Sequence, residues 1–314
     1  MVGKSPKLLM DGSMVKKSSS FYFLYVIAII TLFLWLIFSA TTIIEKTLNL
    51  STSISIIANL IPAVLSAVVI ILAFSIATPL VNDFLVTLRR LLRLDNLSNP
   101  LLLRLSLSAP GTYHHSINVS NLGQKAAKAV GADSLLIRVA AYYHDIGKLE
   151  NPEFYIENQT EEDKQTIVKT PKQSAKIIIS HVQKGLKTAK ANNLTDDICD
   201  LIAEHHGTML VGYFFDLAKN EDGATLRDDF RYPGPKPSSK EAGILMIADS
   251  AEAGIRSLSE IKNGDIEKIV IQVITERINE DQLENSGLSE KEIKKIELSI
   301  IDTLKVIYHR RIIK

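Results

Sequence analysis

Seven histidines occur in the 314 residues, and six of them fall between positions 114 and 206. Among them stand the pairs His144-Asp145 in AAYYHDIGK and His205-His206 in IAEHHGT. His115 lies early in a helical pattern and His181 follows the apolar run KIIIS. Asp249 sits in GILMIADSAEA, where a bare carboxylate would cost several kcal/mol unless paired or metal-bound. Taken singly, each has an ordinary explanation, as a core or surface histidine or an aspartate paired with an arginine. Taken together they need one cause, and metal ligation is that cause. Imidazole and carboxylate without thiolate favour iron or manganese, with zinc and nickel left open. His115, His144, Asp145, His181, His205, His206 and Asp249 are too many ligands for one tetrahedral ion. Two divalent ions bridged by Asp145 are therefore expected.

Two ions roughly 3.5–4 Å apart clamp the attacking and leaving oxygens of a phosphoester and acidify a water held between them. The expected nucleophile is that bridging hydroxide, so no protein nucleophile is required. Asp145, as the bridge, and Lys148, about one helical turn beyond His144, are the expected catalytic residues. Lys148 would set its ammonium on a phosphate oxygen, or else be a solvated surface lysine. His206 is a candidate for substrate phosphate as well as metal. The Gly207-Thr208 turn would add a backbone N–H and the Thr208 hydroxyl, and the ring of Tyr232, in RYPGPKP, is the candidate for stacking on a base.

The elements that carry these residues read as helices. Apolar spacing predicts them over 112–130, closed by Gly131, and over 133–147, opened by Asp133 or Ser134. Further patterns cover 171–191, 195–206, 239–257, 264–279 and 290–312, the last opened by a Ser289/Glu292 capping box. Residues 207–238 are too rich in proline and glycine for a regular element, and no strand signal of useful length appears. The fold class is all-α. Lysine plus arginine, 36, balances aspartate plus glutamate, 35, so no broad basic field suits a nucleic-acid polymer. The one cysteine, Cys199, cannot form an internal disulfide and reads as a small buried residue.

The mean hydropathy of +0.13 is high for a soluble enzyme, and the excess lies at one end. Residues 21–44 carry no charge over 24 positions, enough to cross a hydrocarbon layer that needs roughly 20 helical residues. A second uncharged stretch runs from Leu48 to Val81, with its span starting near Ile54. Lys4, Lys7, Lys16 and Lys17 precede the first span, and Arg89, Arg90, Arg93 and Arg104 follow the second. This asymmetry places both termini in the cytoplasm. The expected organisation is a cytosolic tail (1–20), a two-helix membrane region (21–81), a juxtamembrane linker (82–110) and a catalytic domain (111–314). Membrane lipid is an expected partner, and the paired helices make a homodimer reasonable.

The strings APGTYHHS, AAYYHDIGKL, IIISHV, EHHGT, RYPGPKP and IADSAEA, in this order, resemble the seven-transmembrane HD family of the HD phosphohydrolase superfamily. That resemblance, over about residues 55–312, implies a helical HD bundle that hydrolyses cyclic di-AMP to linear pApA with iron or manganese. It implies His115, His144, Asp145 and Asp249 around one ion, and His181 and His205 on the other with Asp145 shared. Two departures stand out. Family members carry seven spans and a large external domain, so this chain resembles their C-terminal part. Here EHHGT and Tyr232-Pro233-Gly234 do not give the signature of enzymes that cut cyclic di-GMP, which favours the adenine dinucleotide. The alternatives are hydrolysis of cyclic di-GMP or a mononucleotide, and a catalytically inactive dinucleotide receptor.

Overall fold

The computed structural model describes residues 52–159, 169–221, 226–309, 312 and 313, with scattered helical positions between 26 and 43. The expected cytosolic tail and most of the first expected span lie outside the described residues. The chain divides into two compact units, Met1–Arg89 and Arg90–Lys314.

Helix α1 (Thr52–Leu94), most of it in the first unit, contains the second expected span and continues beyond it. Its Val64–Leu94 portion is long and apolar enough to cross a membrane, by length and composition. Leu72 and Phe74 are exposed, as a lipid-facing surface would require. The hydroxyls of Ser75 and Thr78 donate to the carbonyls of Ile71 and Phe74, one turn back, which satisfies them without water.

The second unit is a helical bundle. It comprises α2 (Pro100–Ser108), α3 (Pro110–Val130), α4 (Ser134–Tyr143), α5 (Pro171–Ala191), α6 (Asp196–Glu204), α7 (Gly212–Glu221), α8 (Lys240–Arg256), α9 (Asp265–Asn279) and α10 (Glu290–Tyr308). Three short 3-10 turns, Ile146–Glu150, Pro152–Phe154 and Ile156–Asn158, follow α4. Local chemistry sets the boundaries: the Asp133 side chain accepts from the amides of Leu135 and Leu136 to start α4, and Ser289 with Glu292 forms the expected capping box of α10. Helix α8 runs through the middle of the core, with Ile244, Leu245, Met246, Ile247 and Ala248 all fully buried. Val119, Ile137, Ile202 and Ile300, from four other helices, belong to the same core.

Within 82–110, expected as a juxtamembrane linker, α2 sends Leu101, Leu102 and Leu105 into the core while Leu103 and Arg104 stay outside. Three expectations are corrected. The helix expected over 133–147 stops at Tyr143. Within 207–238, α7 is a regular helix, with Phe214 and Phe215 packed beside buried Phe230. Finally, β1 (Ile261–Lys262) pairs in parallel with β2 (Ile312–Ile313), a ladder too short to show as alternation.

Candidate metal centre

The expected ligand residues stand at helix ends and on buried helix faces. His144 is the C-cap of α4, and Asp145 begins the tight turn that follows. His115 comes from α3, His181 from the middle of α5, and Asp249 from α8. His205 caps α6 and His206 follows it. His115, His144, Asp145, His181, His205 and Asp249 are buried, and His206 is partly exposed.

Two glycines make this convergence possible. A Cβ on Gly147 would lie 1.9 Å from the carbonyl oxygen of His181, so only glycine lets the turn after Asp145 pack against α5. Gly207 has φ +52, and a Cβ there would lie 2.3 Å from Gln282 Oε1. The turn that presents His205 and His206 therefore depends on glycine too.

Asp145 sits at the centre. Its Oδ2 is 3.3 Å from His144 Nε2 and 3.7 Å from His115 Nε2, and its Oδ1 is 3.3 Å from His181 Nε2. One carboxylate oxygen thus faces each of two imidazole groups. Asp249 Oδ1 lies 2.9 Å from His115 Nε2 and 3.6 Å from His144 Nε2, and its Oδ2 lies 3.6 Å from His206 Nδ1. His181 Nε2 and His205 Nε2 are 3.1 Å apart. Ligand atoms within mutual reach group as His115/His144/Asp145, as His181/His205/His206, and as His144/His205/Asp249.

The far side of each ring fixes which nitrogen faces inward. The Nδ1–H groups of His144, His181 and His205 donate to the carbonyls of Ala141, Ile178 and Ile202 at 2.8, 2.6 and 2.7 Å. Exposed His309 makes the same contact with Val306, so this contact alone is a helical habit. What distinguishes the buried rings is that their Nε2 atoms converge. Among the buried polar atoms, His144 Nε2 and Asp145 Oδ1 have no hydrogen-bond partner. Both belong to the group that would ligate an ion, so the residues fit a divalent metal.

The electrostatics divide the site. Burial pushes His205 down to about 3 and His206 well below its ordinary value, with neighbouring imidazoles adding to the effect. Burial also lowers His181. These three rings are neutral and ready to donate to a cation. Burial would lower His144 as well, but Asp145 and Asp249 override it and raise it to about 10. His115 is raised through Asp249 and Glu252 against the same burial. Burial opposes ionisation of Asp145, yet Lys148 and His144 hold its carboxyl well below the usual range.

Lys148 is half-buried, with Nζ 2.8 Å from Asp145 Oδ2 and 2.7 Å from Glu157 Oε1. It is thus an inward-facing cation and not a solvated one. Thr208 is engaged otherwise than expected: its amide and hydroxyl both meet the Gln282 side chain, at 2.9 Å and 3.3 Å. The Tyr232 ring stacks on His206 with centroids 4.3 Å apart and only 8% of the residue exposed. It forms a wall of the centre, and no open stacking platform is left. Three residues escaped the sequence reading: Glu157 and Gln282, which brace Lys148 and Thr208, and Glu252, which accepts from His115 Nδ1. Only Glu252 left a signal, since it follows Asp249 by three positions on one apolar helix.

A family model described as HD domain matches residues 112–254, which hold all seven candidate ligands. The chain is 42% identical over 223 residues to "Cyclic-di-AMP phosphodiesterase PgpH" of Bacillus subtilis, covering 71% of this chain and 31% of that protein. It is 42% identical over 228 residues to the protein of the same name from Listeria monocytogenes, covering 73% and 32%. The chain thus spans about a third of the length of the curated relatives it matches. The crystal structure of the L. monocytogenes phosphodiesterase PgpH HD domain in complex with cyclic-di-AMP superposes with a TM-score of 0.64 at 40% identity, covering 68% of this chain and all of that one. With six ligand-bearing and loop motifs assembled into one helical centre, and a full-length match to that solved domain, the chain belongs to the HD-domain family, in the group that the PgpH proteins represent.

Proposed function

We propose that this chain is a phosphodiesterase that opens cyclic di-AMP to linear pApA, using two divalent ions, iron or manganese. The observation that carries the reading is the placement of Asp145, one oxygen toward His115 and His144 and the other toward His181. His115, His144 and Asp249 would hold one ion, His181, His205 and His206 the other, with Asp145 shared. Bound there, the ions would supply positive charge to the phosphate and acidify a water. The residues do the rest. The backbone carbonyls behind His144, His181 and His205 keep Nε2 turned inward. Lys148 keeps Asp145 ionised, and its third N–H is left for a phosphate oxygen of the substrate. The Tyr232 ring shields His206 from water. Similarity to the PgpH domain solved with cyclic-di-AMP supports the adenine dinucleotide over other nucleotides.

The same reading puts the HD domain on the cytoplasmic side of a membrane, with both termini cytoplasmic, two spans within 21–81, lipid contact, and a homodimer as the working assembly. The test is to incubate the manganese- or iron-loaded protein with cyclic di-AMP, cyclic di-GMP and mononucleotides, and to follow products by chromatography. Accumulation of pApA at the highest rate is expected. Absence of turnover with both metals would overturn the proposal.

A further inference from the structure

His115 differs from the other buried imidazoles in what stands behind it. The rings of His144, His181 and His205 lean on backbone carbonyls of their own helices, whereas His115 Nδ1 donates to the carboxylate of Glu252, 137 positions away. Glu252 is completely buried. Its Oε1 accepts from Asn118 Nδ2 at 3.0 Å and from the Tyr308 hydroxyl at 2.8 Å, and Arg256 Nε lies 3.8 Å from Oε2. Asn118 is three residues along α3 from His115, while Tyr308 is the last residue of α10. Tyr308 also lies beyond residues 112–254, which the HD-domain model spans.

We propose that Glu252, held by Tyr308, is the positioning residue for His115, which makes the C-terminal helix part of the metal-holding machinery. A carbonyl behind a ring fixes its orientation. A carboxylate does this and also increases the electron density at the inward nitrogen, so the ligand binds a cation more strongly. The geometry serves both ends: Oε2 meets His115, and Oε1 is fixed by two donors, so the carboxylate cannot rotate away. Burying an anion without such partners would be strongly unfavourable. α10 begins at Glu290 and reaches Glu252 only with its final turn, so anything that frays this end would loosen one ion of the pair. The inference rests on the two-ion reading given above.

The test uses the full chain loaded with manganese, with metal content and the rate of metal loss to a chelator as readouts. Glu252→Gln keeps the shape and an acceptor oxygen but removes the charge. Affinity for one of the two ions is expected to fall about 10- to 100-fold, with the other ion retained. Tyr308→Phe removes only a hydroxyl from a packed ring; the same ion is expected to leave several-fold faster, with circular dichroism unchanged. Glu252→Asp should restore part of the affinity that Gln loses. Wild-type metal retention in folded Glu252→Gln, or in Tyr308→Phe should the first variant not fold, would overturn the proposal. His115→Ala separates this from failure of the parent reading: if it retains both ions, His115 is not a ligand, and the ligand set assigned above is wrong.

Discussion

Asp145 is the residue on which the two halves of the centre meet, because its two oxygens face different imidazole groups. Without it, the neighbouring cations that hold the carboxyl ionised would be left facing each other. Asp145→Ala is expected to lose metal and turnover together, with metal per chain by elemental analysis and pApA formation as the paired measurements. A variant that kept full turnover would contradict the bridging role. The residues that cluster at the centre were legible in the sequence, because histidine and aspartate in apolar helices have few innocent explanations in combination. Their supports were not. Glu157 reads as a surface acid, yet its carboxylate is buried against Lys148 and Thr112, and burial that would raise it is overcome by Lys148, which brings it down to about 2. Such pairings join residues far apart in the chain, and no local periodicity reports them.

At the scale of elements, the close approach of the turn Ile146–Glu150 to α5 decides whether His181 can reach Asp145. Gly147 and Gly185 face each other there, and neither carries a side chain to hold the backbones apart. Gly147→Ala would drive a methyl into the backbone of α5, an overpacking that ordinarily costs about 1–3 kcal/mol. The expected outcome is a lower urea midpoint accompanied by loss of one ion, since α5 cannot retreat without carrying His181 with it. Unchanged metal content in a folded variant would show that His181 tolerates the displacement. Helix positions were legible from apolar spacing, and the caps at Asp133 and Ser289 were legible from their chemistry. Proline and glycine within 207–238 masked α7, whereas the leucines at helical spacing before Pro110 gave away α2, whose period buries Leu101, Leu102 and Leu105 on one face.

For the molecule as a whole, the centre joins α3, α4, α5, α8 and the end of α6, so metal binding and the stability of the Arg90–Lys314 unit should be linked. A ligand bound at about 100 times its dissociation constant adds about 2.7 kcal/mol to the folded state. For a unit of this size that corresponds to a rise in melting temperature of roughly 5–10 °C. The sign of the accompanying pH effect follows from the two halves of the site. His144, pushed up to about 10, carries a proton at neutral pH in the metal-free protein, and His115 is shifted in the same direction, whereas His205, pushed down to about 3, and His206, pushed well below its ordinary value, do not. Loading must therefore expel protons, and metal affinity should strengthen as pH rises through the neutral range. Calorimetric titration of manganese in buffers of different ionisation enthalpy counts those protons, and thermal melts with and without chelator measure the stabilisation. A melting temperature that chelator leaves unmoved would mean that the helices hold their places without the ions, and that the centre is preorganised by Lys148, Glu157 and Glu252 alone.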